Sequence, residues 1–235
     1  MNIYAIKKPN FIEGDIYNLL LSFISEEKKR RLKRYIKKED AYRTLLGDVL
    51  IRSVICDKYG LSNTNIEFEN NEYGKPGLKG FNNLFFNISH SADWIVCVVD
   101  GNSVGIDIEK VGSIEYENII QFFSDEEKKV LNLKESTEKE EYFYDLWTLK
   151  ESYVKAIGKG LSIPLNSFGI IKTGGNIKVE TNDMNFECFF RQYELDTYYK
   201  LSVCAESNHF PTKIKIKNVT GIIRDIVASA KNVYS

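Results

Sequence analysis

Two acidic residues two positions apart, Asp107 and Glu109 in SVGIDIEKV, are the first candidates for chemistry. Val104, Ile106 and Ile108 alternate with Gly105, Asp107 and Glu109, the period of a β-strand. Both carboxylates then share one face, about 7 Å apart along the backbone. Neighbouring carboxylates raise each other's pKa unless a cation sits between them. Oxygen ligands of this kind suit magnesium, which takes one or two carboxylates together with phosphate oxygens and water. An isolated Asp-x-Glu reads equally well as a solvated strand face.

A second candidate set lies on a helical segment, Tyr142–Ile157. Phe143, Leu146, Leu149, Tyr153, Val154, Ala156 and Ile157 form a broad apolar arc at helical spacing. Lys150 falls inside that arc, where an ammonium group is costly unless it reaches an anion or water. Glu151 and Lys155 stand one turn apart at the arc's edge, with Trp147 one turn before. A surface ion pair between i and i+4 explains Glu151 with Lys155. It leaves Lys150 unexplained, whereas an anionic ligand at this edge accounts for both lysines.

These sets need a scaffold. The chain has 235 residues, 43% hydrophobic and 28% charged, which suits a globular protein with a sizeable core. Residues 2–7 read as a first strand. Residues 16–59 read as helical, with Ser25 as an N-cap and Gly60 as the stop. A loop rich in Asn and Gly follows at 63–80, then strands at 94–99 and 103–110 joined by a turn at Asp100-Gly101. Residues 116–123 read as helical, and Ser124-x-x-Glu127 opens a further helix with a capping-box signature. Beyond Gly160 the texture is strand and turn, with FECFFRQYELD and YYKLSVCAE as a late hairpin. Mixed helix and strand at this length implies an α+β fold.

The net charge of -1 argues against wholesale nucleic-acid binding. No apolar run has the length of a membrane span, and MNIYAIKKP lacks the layout of a signal peptide. Cys56, Cys97, Cys188 and Cys204 show neither metal-ligand nor disulfide-framework spacing, in keeping with a cytoplasmic protein.

The motifs together resemble the surfactin-synthetase-activating class of 4'-phosphopantetheinyl transferases. The resemblance rests on VGIDIEKV at 104–111 and LWTLKESYVKAIGKGL at 146–161. YGKPGL at 73–78, FNISHS at 86–91 and FFSDEEK at 122–128 support it, in the order and spacing of that family. It implies two similar α+β halves related by a pseudo-twofold axis, with coenzyme A between them. The expected division is 1–102, 103–220 and a C-terminal tail at 221–235.

The resemblance further implies transfer of phosphopantetheine from coenzyme A to a serine of an apo peptidyl or acyl carrier protein. Asp107, Glu109 and Glu151 would hold magnesium, or manganese in its place. Glu151 is the candidate general base and Lys155 the stabiliser of the transferring group, with Lys150 nearby. Lys28, Arg31 and Arg43, with Thr44 adjacent, would meet the phosphates of coenzyme A; Arg31 stands where a lysine is also familiar. Gly74, Lys75 and Pro76 offer close backbone approach and a cation. Ser89 and His90 would face the nucleotide end. Glu127 has two readings side by side, a capping-box residue or support for catalysis. The expected enzyme is a monomer with no membrane or nucleic-acid partner.

Two other classes stay open on sequence alone. A non-catalytic binding module needs the same cations but not three carboxylates. A nucleic-acid binder is suggested only by the eight Lys and Arg residues between Lys28 and Lys38, where Tyr35 stands alone rather than in an interleaved aromatic set for stacking.

Overall fold

The computed structural model describes residues 1–113, 119–181 and 186–231. Strand β1 (Asn2–Lys7) is followed by helices α1 (Gly14–Ser22), α2 (Glu26–Leu32) and α3 (Lys38–Tyr59). Strands β2 (Phe68–Asn70), β3 (Pro76–Leu78), β4 (Phe85–Ser91), β5 (Trp94–Asp100) and β6 (Val104–Lys110) come next. Helices α4 (Asp125–Leu133) and α5 (Ser136–Ile157) precede β7 (Phe168–Thr173), β8 (Asn176–Thr181), β9 (Phe189–Tyr193) and β10 (Tyr199–Ala205). Strand β11 (Lys215–Ile216) and helix α6 (Val219–Lys231) close the described chain.

The same arrangement occurs twice. In the first half β1, β5 and β4 lie side by side in that order, and in the second half β6, β10 and β9 do. Each set is antiparallel: Tyr4 pairs with Cys97, and Asp107 with Ser202. Between the first strand and the hairpin of each half runs a 22-residue helix, α3 or α5. Each long helix stops at a glycine in the left-handed region, Gly60 at φ 65° and Gly158 at φ 78°, where a side chain would be strained.

A small hairpin follows each helix, β2–β3 or β7–β8. The sheets pack face to face through Ile3, Ala5, Val96 and Val98 of one and Ile106, Ile108, Leu201 and Val203 of the other. Their outer faces carry the helices, so the layers run helix, sheet, sheet, helix.

Several details differ from the sequence reading. The helical stretch at 16–59 breaks into three helices. Ser25 caps the second, accepting a bond from the Lys28 amide at 3.2 Å. Strands 94–99 and 103–110 are present as read, and the turn between them carries the chain from one sheet to the other. Of the helix expected at 116–123, residues 116–118 lie outside the described residues, and Ile120–Phe122 forms a single 3-10 turn.

Residues 221–231 belong to a packed helix rather than a tail. Helix α6 buries Ile222 and Ile226 against α3, which covers the outer side of the first half. The late hairpin forms as β9–β10.

One contact decides where the second long helix sits. A Cβ on Gly105 would lie 2.1 Å from the carbonyl oxygen of Ser152 and 2.4 Å from the amide of Ala156. Helix α5 thus rests its backbone directly on β6. Gly105→Ala should push helix and strand apart, lowering stability by about 3 kcal/mol or more. Thermal melting measures this, and an unchanged midpoint would contradict so close a contact.

Candidate active site

With the α5 backbone resting on Gly105, the next residues on that face of β6 lie under the side chains of the same helix. Asp107 is buried at 2% exposure, and the Lys155 ammonium donates to its Oδ1 at 2.5 Å. Strand β4 completes this corner with side chains where a sheet would use backbone. Asn87 Oδ1 accepts the Ile106 amide at 2.9 Å, Ser89 Oγ the Ile108 amide at 3.4 Å, and Ser91 Oγ the Lys110 amide at 3.1 Å. The two serines also donate to the acids, Ser89 to Asp107 at 2.8 Å and Ser91 to Glu109 at 2.7 Å. Lys155 donates to Ser89 Oγ as well, at 3.2 Å.

Three carboxylates meet here with too few donors. Burial pushes the Glu109 carboxyl up to about 7, and the charges on Asp107 and Glu151 add to the effect. Glu151 is also raised, first by burial and then by Asp107, against the attraction of Lys155. For Lys155 burial opposes the charge, but Asp107, Glu151 and Glu109 together outweigh it and the ammonium is held above its usual range. Asp107 Oδ2 is buried and has no partner among the described residues.

Beside this cluster opens a cleft of about 310 Å³ between the halves. Glu151 and Lys155 line it on one side, and Tyr73, Gly74, Lys75 and Pro76 on the other. Val154, Ile163 and Leu165 give it an apolar wall.

The family model of the 4'-phosphopantetheinyl transferase superfamily matches residues 103–204, and that of the 4'-phosphopantetheinyl transferase N-terminal region matches residues 13–102. The chain is 43% identical over 215 residues to 4'-phosphopantetheinyl transferase Sfp of Bacillus subtilis, covering 91% of this chain and 96% of that protein. It belongs to the 4'-phosphopantetheinyl transferase superfamily.

A second relative in the superfamily, 4'-phosphopantetheinyl transferase gsp of Aneurinibacillus migulanus, is 38% identical over 231 residues, 97% of each chain. Among solved structures, a holo-(acyl-carrier-protein) synthase of Bacillus anthracis in complex with CoA (3',5'-ADP) overlaps 44% of this chain and 93% of that one. Its TM-score is 0.39 at 16% identity.

The superfamily's motifs do not all converge on the cleft. Glu151 and Lys155 line it together with Gly74, Lys75 and Pro76, while Asp107 and Ser89 lie behind Lys155, bonded to its ammonium, and Glu109 follows on the same strand. His90 lies next to them, its outer edge open to solvent and its ring enclosed by neighbouring residues. Burial lowers its imidazole pKa, as do the charges of Arg43 and Lys155, which places those two cations close by. Arg43 is held by Asp40 at 2.5 Å and by the Ala92 carbonyl at 3.1 Å. Its neighbour Thr44 donates to the Tyr35 hydroxyl at 3.1 Å.

Arg31 is exposed on α2. Lys28 turns inward to Asp48 at 3.4 Å. The Lys75 ammonium donates to the carbonyls of Val104 at 3.1 Å and Ala156 at 3.0 Å, and burial lowers its pKa to about 8.

Lys150 requires a correction. Its ammonium is fully buried and points away from the cleft, bonding both oxygens of Glu127 at 2.9 and 2.7 Å and the Phe168 carbonyl at 2.7 Å. The anion that explains Lys150 is therefore Glu127, not a ligand. Glu127 in turn accepts the Ser124 and Ile170 amides and completes a capping box, so its position is structural. Removing either partner would strand a buried charge, at a cost of about 3–5 kcal/mol.

Sequence reading missed Asn87, Ser91 and Gly105. Asn87-x-Ser89-x-Ser91 is a polar alternation that marks one strand face, a signal present in FNISHS.

The donor set fits a divalent cation. Among the described residues no group of three or more acidic, His or Cys side chains is arranged to hold a metal ion by itself. Magnesium needs none, because it keeps several waters and binds through one or two carboxylates plus phosphate oxygens. The bare Oδ2 of Asp107 and the crowded Glu109 and Glu151 supply the acidic side.

The crowding has a pH signature in metal-free protein. The folded state holds the Glu109 proton more tightly than the unfolded chain, whose value is 4.5, so stability falls as pH rises from 4.5 to about 7. Glu109→Gln should remove this loss. In chelator-treated protein its melting advantage over the parent should be absent near pH 4, grow through that window and hold above it. A constant difference at all pH values would contradict the crowded-acid assignment.

Proposed function

We propose that this chain transfers the 4'-phosphopantetheine group of coenzyme A to a serine of an apo peptidyl or acyl carrier protein, releasing 3',5'-ADP. The observation that carries the reading is the meeting of Asp107 and Glu109 from one strand with Glu151 and Lys155 from α5 at a cleft between two halves. Asp107, Glu109 and Glu151 are the residues that would hold magnesium. The ion supplies charge neutralisation for the pyrophosphate.

Lys155 carries its positive charge into the cleft, anchored on Asp107, where it offsets the negative charge that builds on the transferring phosphoryl group. Glu151 accepts the proton of the attacking serine hydroxyl. Its raised proton affinity brings it closer to neutrality, where a general base works best. The loop at Tyr73–Pro76 forms the far wall, and the bonds from Lys75 to Val104 and Ala156 tie that wall to the helix carrying Glu151 and Lys155. Arg43 offers positive charge for the nucleotide phosphate, and the neutral imidazole of His90 nearby offers a hydrogen bond.

A panel of apo peptidyl and acyl carriers incubated with the protein, coenzyme A and magnesium, then measured by intact mass, tests the reading. At least one carrier should gain the mass of one phosphopantetheine, and chelation should prevent it. Asp107→Asn and Glu151→Gln should each reduce turnover about a hundredfold or more while melting as folded proteins. No gain on any carrier, or near-parent turnover in Asp107→Asn, would refute the assignment.

A further inference from the structure

The internal repeat gives the catalytic corner a counterpart in the first half. Laying β5 on β10 end to end puts Tyr4 where Asp107 stands, because Tyr4 pairs with Cys97 and Asp107 with Ser202. Laying α3 on α5 by their terminal glycines puts Ser53 and Asp57 where Glu151 and Lys155 stand. Along the free edge of β6, strand β4 supplies side chains. Along the free edge of β1, β11 supplies backbone, pairing Lys215 with Tyr4 and bonding the Lys217 amide to the Ala5 carbonyl at 2.8 Å.

A cavity of about 460 Å³ opens at this counterpart, lined in part by Tyr4, Asp57, Lys58, Lys215, Lys217 and Arg224. Its chemistry is opposite to that of the catalytic cleft. Asp225, the other acid here, is held by Lys217 at 2.5 Å and by the Ser53 hydroxyl at 3.0 Å, with the exposed Arg224 guanidinium at 3.3 Å from its other oxygen. Lys58 lies 3.5 Å from Asp57, while Lys215 donates to the neutral amide oxygen of Asn2 at 2.8 Å and lies over the Tyr4 ring at 5.5 Å. Cations therefore outnumber acids.

Thr220 and Gly221, in the first turn of α6, also line the cavity, so the positive end of that helix faces it. Tyr4 is 1% exposed, and its buried hydroxyl has no hydrogen-bond partner among the described residues. A buried, unpaired O–H bordering a cationic cavity is a donor in want of an acceptor.

We propose that this cavity is a second, non-catalytic site that binds a phosphate-type oxyanion, with the Tyr4 hydroxyl, Lys215 and Arg224 as donors. Tyr4 and Ser53 stand in place of acids, and the two carboxylates that remain, Asp57 and Asp225, are taken up by Lys58 and by Lys217 with Ser53, which leaves donors for an anion. An occupant there bridges β1, the end of α3 and the start of α6, and so fastens the C-terminal segment to the first half.

Titration with inorganic phosphate, followed by amide NMR and thermal melting, tests this in the full chain. Saturable shifts are expected at residues 215–221. Tyr4→Phe should weaken binding about tenfold, as for a charge-assisted hydrogen bond, and Arg224→Gln should weaken it as well. Without phosphate, Tyr4→Phe should melt no lower than the parent, because it removes an unpaired group. Adenosine 3'-monophosphate in a parallel arm separates the sources: tighter binding identifies a monoester as occupant, and equal or weaker binding identifies free phosphate. Shifts confined to residues 87–92 and the catalytic corner, or equal phosphate affinity in Tyr4→Phe, would overturn the proposal.

Discussion

The seating of α5 on β6 at Gly105 is the constraint on which the rest depends. A helix normally stands off a sheet by the width of its side chains. Here it does not, since a single methyl group at Gly105 would meet two backbone atoms well inside contact distance. Only at that separation does the Lys155 ammonium reach Asp107 and the Glu151 carboxylate join the two acids of the strand. The loop at Tyr73–Pro76 holds the same helix from its C-terminal end. Asn71 donates to the Gly158 carbonyl at 2.9 Å, while Lys75 and Ser103 both bond Ala156. One half thereby fixes the position of the helix that the other half supplies.

The repeat separates what the fold requires from what the chemistry requires. Arg52 in α3 and Lys150 in α5 occupy matching positions eight residues before the terminal glycines. Each is a buried cation paired with a carboxylate, Arg52 with Asp48 at 2.6 Å and Lys150 with Glu127 at 2.7 Å. Each also lies over the phenylalanine that opens the following small hairpin, at 4.9 Å from Phe68 and 4.3 Å from Phe168. A feature present in both halves belongs to the architecture. Asp107, Glu151 and Lys155 have no such counterparts, since Tyr4, Ser53 and Asp57 stand in their places.

Much of this was legible in the sequence, for reasons of range. Strand alternation at 104–110, the capping box at Ser124 and the stop at Gly60 are local, and each appears as read. Asp107 and Glu109 share a face because the strand period requires it. The pairing of Lys150 was not legible, because Glu127 lies a helix away and only packing brings it under the arc. Nor was Gly105 legible, since its need for a bare Cα comes from a helix some 50 residues on. Lys75 read as a free phosphate ligand, but its ammonium is engaged by carbonyls that no local pattern announces. The final helix was legible in principle: Ile222 and Ile226 recur at helical spacing, and that pattern was read as a tail.

On the proposed reading, the crowded acids of strand and helix hold one shared cation rather than forming two independent surfaces. Binding of manganese, followed by electron paramagnetic resonance in the presence of coenzyme A, measures this directly. One ion per chain is expected, with affinity lost in Asp107→Asn and equally in Glu151→Gln, although the two residues lie on different elements. Full manganese affinity in Glu151→Gln would contradict the claim that strand and helix form a single metal site.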